Sequence, residues 1–255
     1  MNKLAIVALA AVAVSSAWAV EGTITTKNND VKKGDITWQA RTKKYIVSAK
    51  NVSTELPLAD VVKVDVPRPK NLDSCISGKN AAGLKKIVQD YRMLGWDRVA
   101  ARELITVLLA GGKAKEAFEI AAPMVQDDKK SAYTGDMAAA YWQTLLALGE
   151  KQKLENCLRL ATTEGDRRSS VEALIARGDI LAKEAEAAEG EAKVKANRRA
   201  LTDGYLRAAL LYRDDGDADC RAASHDAMIR SAGIFEDLGN TVYAEFMRAE
   251  AEKIK

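Results

Sequence analysis

The residue types that most often carry chemistry are thinly represented in this chain. Hydrolases of the serine–histidine–acid, cysteine–histidine or zinc type draw on histidine as base or ligand, and the chain has one histidine, His225. It stands three, four and seven residues before Met228, Ile229 and Ala232. At helical spacing it therefore faces or borders an apolar stripe, and it reads as structural. HExxH, GxSxG and CxxC are absent, and Lys79 and Lys113 follow glycines without completing a phosphate-binding GxxxxGK loop. Asp215, Asp217, Asp219 and Asp226 fall at positions 1, 3, 5 and 12 of a calcium-loop spacing. However, Cys220 stands where that loop needs glycine, and Asp226 where it needs a bidentate glutamate. The run 214–219 reads instead as a solvated turn whose last acid caps the next helix. The 36 acidic residues leave many pairs for glycoside hydrolysis, but no spacing singles one out. No catalytic, cofactor-binding or metal-ligating residue is nominated, and the chain is expected not to be an enzyme.

Other groups bear on binding. Cys75, Cys157 and Cys220 are odd in number and none belongs to a CxxC. One long-range disulfide or three small buried thiols both remain open. Trp96, Tyr141, Trp142 and Tyr212 are the candidate partner-binding residues. Aromatic side chains are more often core than ligand-facing, but on the inner side of a curved helical array they would dominate binding energy. The mixed-sign run 183–193 suits i,i+4 pairing and reads as an exposed helix end and loop.

The elements that must position these residues begin after a leader. Residues 1–19 hold a basic start at Lys3, an apolar run over 4–14 and the small-x-small exit Ala17-Trp18-Ala19. Those are the three parts of a secretory signal, cleaved after Ala19, and the run is too short to span a bilayer. The product is expected to be exported, either to a Gram-negative periplasm or into the medium, with no transmembrane anchor. Removing the leader takes away only Lys3, leaving 38 basic against 36 acidic residues. Interspersed charges of nearly equal number give no basic face, so nucleic acid is not an expected partner.

Residues 20–66 alternate apolar and polar side chains with turn signals between, as in Ile36-Thr37-Trp38-Gln39-Ala40 and Val62-Lys63-Val64-Asp65-Val66. Period-two patterning predicts a small β domain of four or five strands. Pro67 and Pro69 close it, and 67–79 reads as a linker. Gly22, Gly34, Tyr45 and the step Ala59-Asp60-Val61-Val62 give this segment a resemblance to small SH3-like or Sm-like barrels. A bare β-meander leaning on its neighbour is the alternative.

From residue 80 to 255 the period changes to 3.6. Leu84, Ile87, Val88, Tyr91 and Leu94 share one face, and comparable stripes recur to Tyr243, Phe246 and Met247. Pro123 should kink or end the helix that contains it. Three turns pair a glycine with a small or aliphatic residue five positions on: Gly112 with Ala117, Gly149 with Leu154 and Gly239 with Ala244. On these residues the stretch resembles the tetratricopeptide repeat family, in which glycine allows the tight turn and the small residue a close helix crossing. It departs from that family in lacking the usual Trp and Leu-Gly pair and in the 37-residue step from Gly112 to Gly149.

The expected fold class is mainly α: a helical-hairpin, tetratricopeptide-like array preceded by a small β-barrel or β-meander unit, after a cleaved signal peptide. The function that follows is an exported, non-enzymatic adaptor or scaffold of the cell envelope, binding a protein or peptide on its helical repeat surface. The rivals are a structural subunit that self-associates through its C-terminal hairpin and, ranked last, a carboxylate-dependent envelope hydrolase.

Overall fold

A computed structural model describes residues 19–50 and 52–254. All of the expected leader but Ala19 lies outside the described residues. The chain is mainly helical, with a small antiparallel sheet first, and it divides into two compact units on either side of the Ala100–Ala101 bond.

In the first unit, β1 (Val20–Thr26), β2 (Val31–Gln39), β3 (Lys44–Ala49), β4 (Val52–Pro57) and β5 (Val61–Asp65) form one sheet in the order β4-β3-β2-β1-β5. A single 3-10 turn, Leu58–Asp60, joins the last two strands. Alternation places Ile24, Ile36, Trp38, Tyr45 and Val47 on one buried face, where Val66, Met93 and Leu94 close over them. Register brings Trp38 opposite Tyr45, with ring centroids 4.8 Å apart. Helices α1 (Leu72–Ser77) and α2 (Ala81–Asp90) follow, so part of the stretch read as linker is helical. Asn80 caps α2 by accepting the Gly83 N–H at 3.0 Å. Two long-range bonds tie the sheet and its exit to the helical segment: the Tyr45 hydroxyl donates to Met93 O (2.8 Å) and the Trp96 indole donates to Val66 O (3.1 Å).

Helix α3 (Trp96–Ala110) begins in the first unit and runs into the second. There follow α4 (Ala114–Asp127), α5 (Ala138–Ala147), α6 (Lys151–Glu164), α7 (Arg167–Glu186) and α8 (Gly190–Ala200). A π-helical turn, Leu201–Tyr205, leads straight into α9 (Leu206–Leu211), and α10 (Ala218–Asp237) and α11 (Thr241–Ala251) complete the chain. Helix α4 continues through Pro123 to Asp127, so the proline does not end it there. The charged run expected as a helix end and loop supplies the end of α7 and the start of α8, with Ala185 buried.

The three glycine turns share one geometry. Gly112, Gly149 and Gly239 have φ of +71°, +72° and +72°. In each, the residue after the glycine donates its N–H to a carbonyl five positions back: Lys113 to Leu108, Glu150 to Leu145 and Asn240 to Phe235, at 2.8–2.9 Å. This double-wrapped helix end needs a left-handed residue, which glycine adopts without a Cβ penalty. Ala117, Leu154 and Ala244, five residues on, are all buried. Counting α8, the π-helical turn and α9 as one helical stretch, alternate helices also meet beyond these hairpin contacts, α5 packing on α7 and α7 on α10.

Candidate interaction surface

Helix α10 buries small residues and serines: Cys220, Ser224, Ala227, Met228, Ser231 and Ala232. Buried hydroxyls need partners, and both have them: Ser224 donates to Ala209 O and Ser231 to Ala227 O, at 2.7 and 2.8 Å. This polar but satisfied face fixes the rotation of the helix. It turns Ala222, His225, Ile229 and Gly233 outward as an exposed row, with Ile229 44% exposed. His225 and Ile229 therefore border the buried stripe of Met228 and Ala232 rather than enter it, with Ser224 and Ser231 also on the buried side. A Cβ placed on Gly233 would meet nothing, so the row is open above it.

Arg230, beside that row, joins it to α7. Its guanidinium donates to Asp179 Oδ1 of α7 (2.5 Å) and to Asp226 Oδ2 one turn earlier (2.8 Å). The Tyr205 hydroxyl donates to the same Asp179 oxygen at 2.6 Å. Burial first, and the Asp179 carboxylate next, push the Tyr205 hydroxyl far above its ordinary value, so it remains a donor at any physiological pH. Tyr205 is brought there by a close crossing of backbones. A Cβ on Gly204 would lie 2.6 Å from Cα and N of Gly178, and one on Gly178 would lie 2.5 Å from the Tyr205 ring. Together the α7 and α10 surfaces carry an apolar centre at Ile229 beside a half-exposed, preorganised acid–arginine–acid set.

The candidate aromatic residues lie elsewhere and are not brought together. Trp142 is 3% exposed and its indole donates to Ala132 O at 2.8 Å; Tyr141 is 8% exposed and stacks on Phe118. Both sit in the core, because α5 is apolar on nearly all sides and buries most of its circumference. Trp96 packs against the sheet core of the first unit under the Arg68 guanidinium, 4.9 Å from its ring centroid. Tyr212 is half-buried: its hydroxyl donates to Ser170 Oγ at 2.7 Å and Arg167 lies over its ring. The signals that mark the exposed row, buried serines and an outward glycine, are not apolar, and a hydrophobic period does not detect them.

The acidic turn is structural. Asp215 accepts from Arg167 Nε (2.6 Å) and from the Asp217 N–H (2.9 Å), contacts that hold its carboxyl below the usual range. Asp217 caps α10 through the N–H groups of Asp219 and Cys220. Among the described residues, no group of three or more His, Cys, Asp or Glu side chains is arranged to hold a metal ion. Cys75, Cys157 and Cys220 are buried and unpaired, and burial pushes the Cys157 and Cys220 thiols up. Among the described residues, the carboxyl shifted upward is Asp97, which is buried in the first unit. Desolvation raises it, against the Met93 N–H that donates to Oδ2 at 2.7 Å. No helix among the described residues is long and apolar enough to cross a membrane. No protein-family model, curated protein or solved structure matches the chain.

Proposed function

We propose that this chain is an exported, non-enzymatic scaffold of the cell envelope that binds an extended segment of a protein partner across the outer faces of α7 and α10. The observation that carries this reading is the exposed row of α10 beside the Asp179–Arg230–Asp226 set. It spans two neighbouring helices and joins an apolar centre to a polar rim, the composition of a protein-binding surface. Ion pairs already formed lose little side-chain freedom when a partner binds, which favours affinity. The repeated glycine turn and the contacts between alternate helices support a tetratricopeptide-like arrangement of this unit. The position of β5 beside β1, after a one-turn 3-10 step, supports an SH3-like or Sm-like reading of the sheet. Export rests on the sequence of residues 1–19.

The test is crosslinking of the protein in the envelope of its own cell, with Ile229→Arg and His225→Glu as variants. Both substitutions fall on exposed positions, so circular dichroism should remain that of the wild type. One dominant partner, retained at least tenfold less by each variant, is the expected result. Equal retention by wild type and variants would remove this surface from the function. Sequencing of the secreted form should find Val20 first.

A further inference from the structure

We infer that a second copy of this chain docks on the surface formed by α9 and α11, the two chains related by a two-fold axis. Most of the large apolar side chains that the helical unit leaves exposed are gathered there. Leu210 and Leu211 stand on α9, and Val242, Tyr243 and Phe246 on α11, all more than half exposed. Val242, Phe246 and Ala249 follow one another at i, i+4 and i+7, the seam of a helix that packs on another helix. The inner face of α11 is already used against α10, through Ala244, Met247 and Ala251. Arg213, two residues beyond α9, pairs its Nη1 with Glu250 Oε2 near the end of α11 at 2.6 Å, and both helices pack on α10. The C-terminal ends of the two apolar stretches are therefore linked through this pair.

Charge identifies the occupant. Among the described residues, Arg207, one turn before Leu210 and Leu211, closes no ion pair, and neither do Glu245 and Glu252 beside Phe246 and Ala249. The α9 half of the surface is thus basic and apolar, and the α11 half acidic and apolar. In a closed two-fold contact, residue i meets j while j meets i. Laying α9 along the partner's α11 brings Leu210 to Phe246 and Arg207 to Glu245, and the symmetry repeats both contacts. Pairing α11 with itself in antiparallel fashion would instead set Glu245 and Glu252 against the same acids, which is unfavourable. This interface is separate from the α10 row, so the two can fail independently.

The experiment is sedimentation equilibrium of the purified chain over about 1–100 μM, a range that brackets micromolar association. The wild type should be a dimer. Phe246→Glu and Leu210→Glu, at exposed sites, should each weaken dimerisation at least tenfold with unchanged circular dichroism, while Ile229→Arg should leave it intact. Arg207→Glu and Glu245→Arg should each weaken it, and the chain carrying both should regain it. A wild-type monomer throughout would overturn the inference, even if another protein proved to bind this surface. A dimer indifferent to Phe246→Glu, or a double swap that restores nothing, would overturn it as well.

Discussion

Replacing Gly204 with alanine places a methyl group 2.6 Å from the Cα and N of Gly178, where ordinary contacts are 3.4–4 Å. The obstructing atoms are backbone, so no side chain can swing aside. The π-helical turn and α7 must part by about 1 Å, which disturbs the Tyr205 ring and its bond to Asp179. Overpacking of this kind costs about 1–3 kcal/mol, and rigid backbone on both sides puts this site at the upper end. The lower freedom of alanine in the unfolded chain returns about 0.5–1 kcal/mol, for a net loss of about 2 kcal/mol. Gly233 is the internal control, since it too lies within a helix but a Cβ there meets nothing. Gly233→Ala should gain about 0.5–1 kcal/mol. Urea unfolding followed by helical circular dichroism reads both as midpoint shifts of opposite sign at unchanged slope. A Gly204→Ala protein as stable as the wild type would show that the crossing is not tight and would refute the reasoning.

Two further outcomes concern buried or capping acids. Burial raises the Asp97 carboxyl in the folded chain, so its contribution to stability is full below the usual carboxylate range and is lost as pH rises through the raised value. Asp97→Asn keeps an acceptor for the Met93 N–H but cannot ionise; its advantage in melting temperature over the wild type should therefore grow between about pH 4 and pH 7, and a constant gap would contradict this. Asp166 caps α7 through the Ser169 N–H (2.8 Å) and also holds the Gly135 N–H (3.0 Å) and the Thr134 hydroxyl. Asp166→Ala should lose about 1–2 kcal/mol in the same urea titration, whereas Asp166→Asn, which can still cap, should lose clearly less.

What the sequence reveals about this fold depends on which side chains are apolar. The strands of the first unit with alternating apolar residues, such as Ile36-Thr37-Trp38, announce themselves; β4 does not, since three polar residues in a row, Ser53-Thr54-Glu55, interrupt any alternation. The three hairpin turns are legible because only glycine takes their left-handed position cheaply. The orientation of α10 is legible in part: Met228 and Ala232 mark its buried side, whereas Ser224 and Ser231 do not, because their hydroxyls find backbone carbonyls only after folding. Two of the aromatic candidates, Tyr141 and Trp142, are buried for a related reason. Composition marks Tyr141 and Trp142 as large and adhesive, and cannot distinguish a helix buried on most sides from one facing a groove.

The π-helical turn sets the angular phase of everything that follows it up to Tyr212. Its Leu206 N–H reaches back five residues to Leu201 O rather than four, which amounts to one residue inserted into an otherwise continuous helix. One residue is about 100° of rotation. Deleting a single position within 201–205 would therefore wind α9 by roughly a quarter-turn, carrying Leu210 and Leu211 away from where they now point. Length variation at this one turn is a dial by which related chains could aim α9 differently while leaving α7 and α10 unchanged.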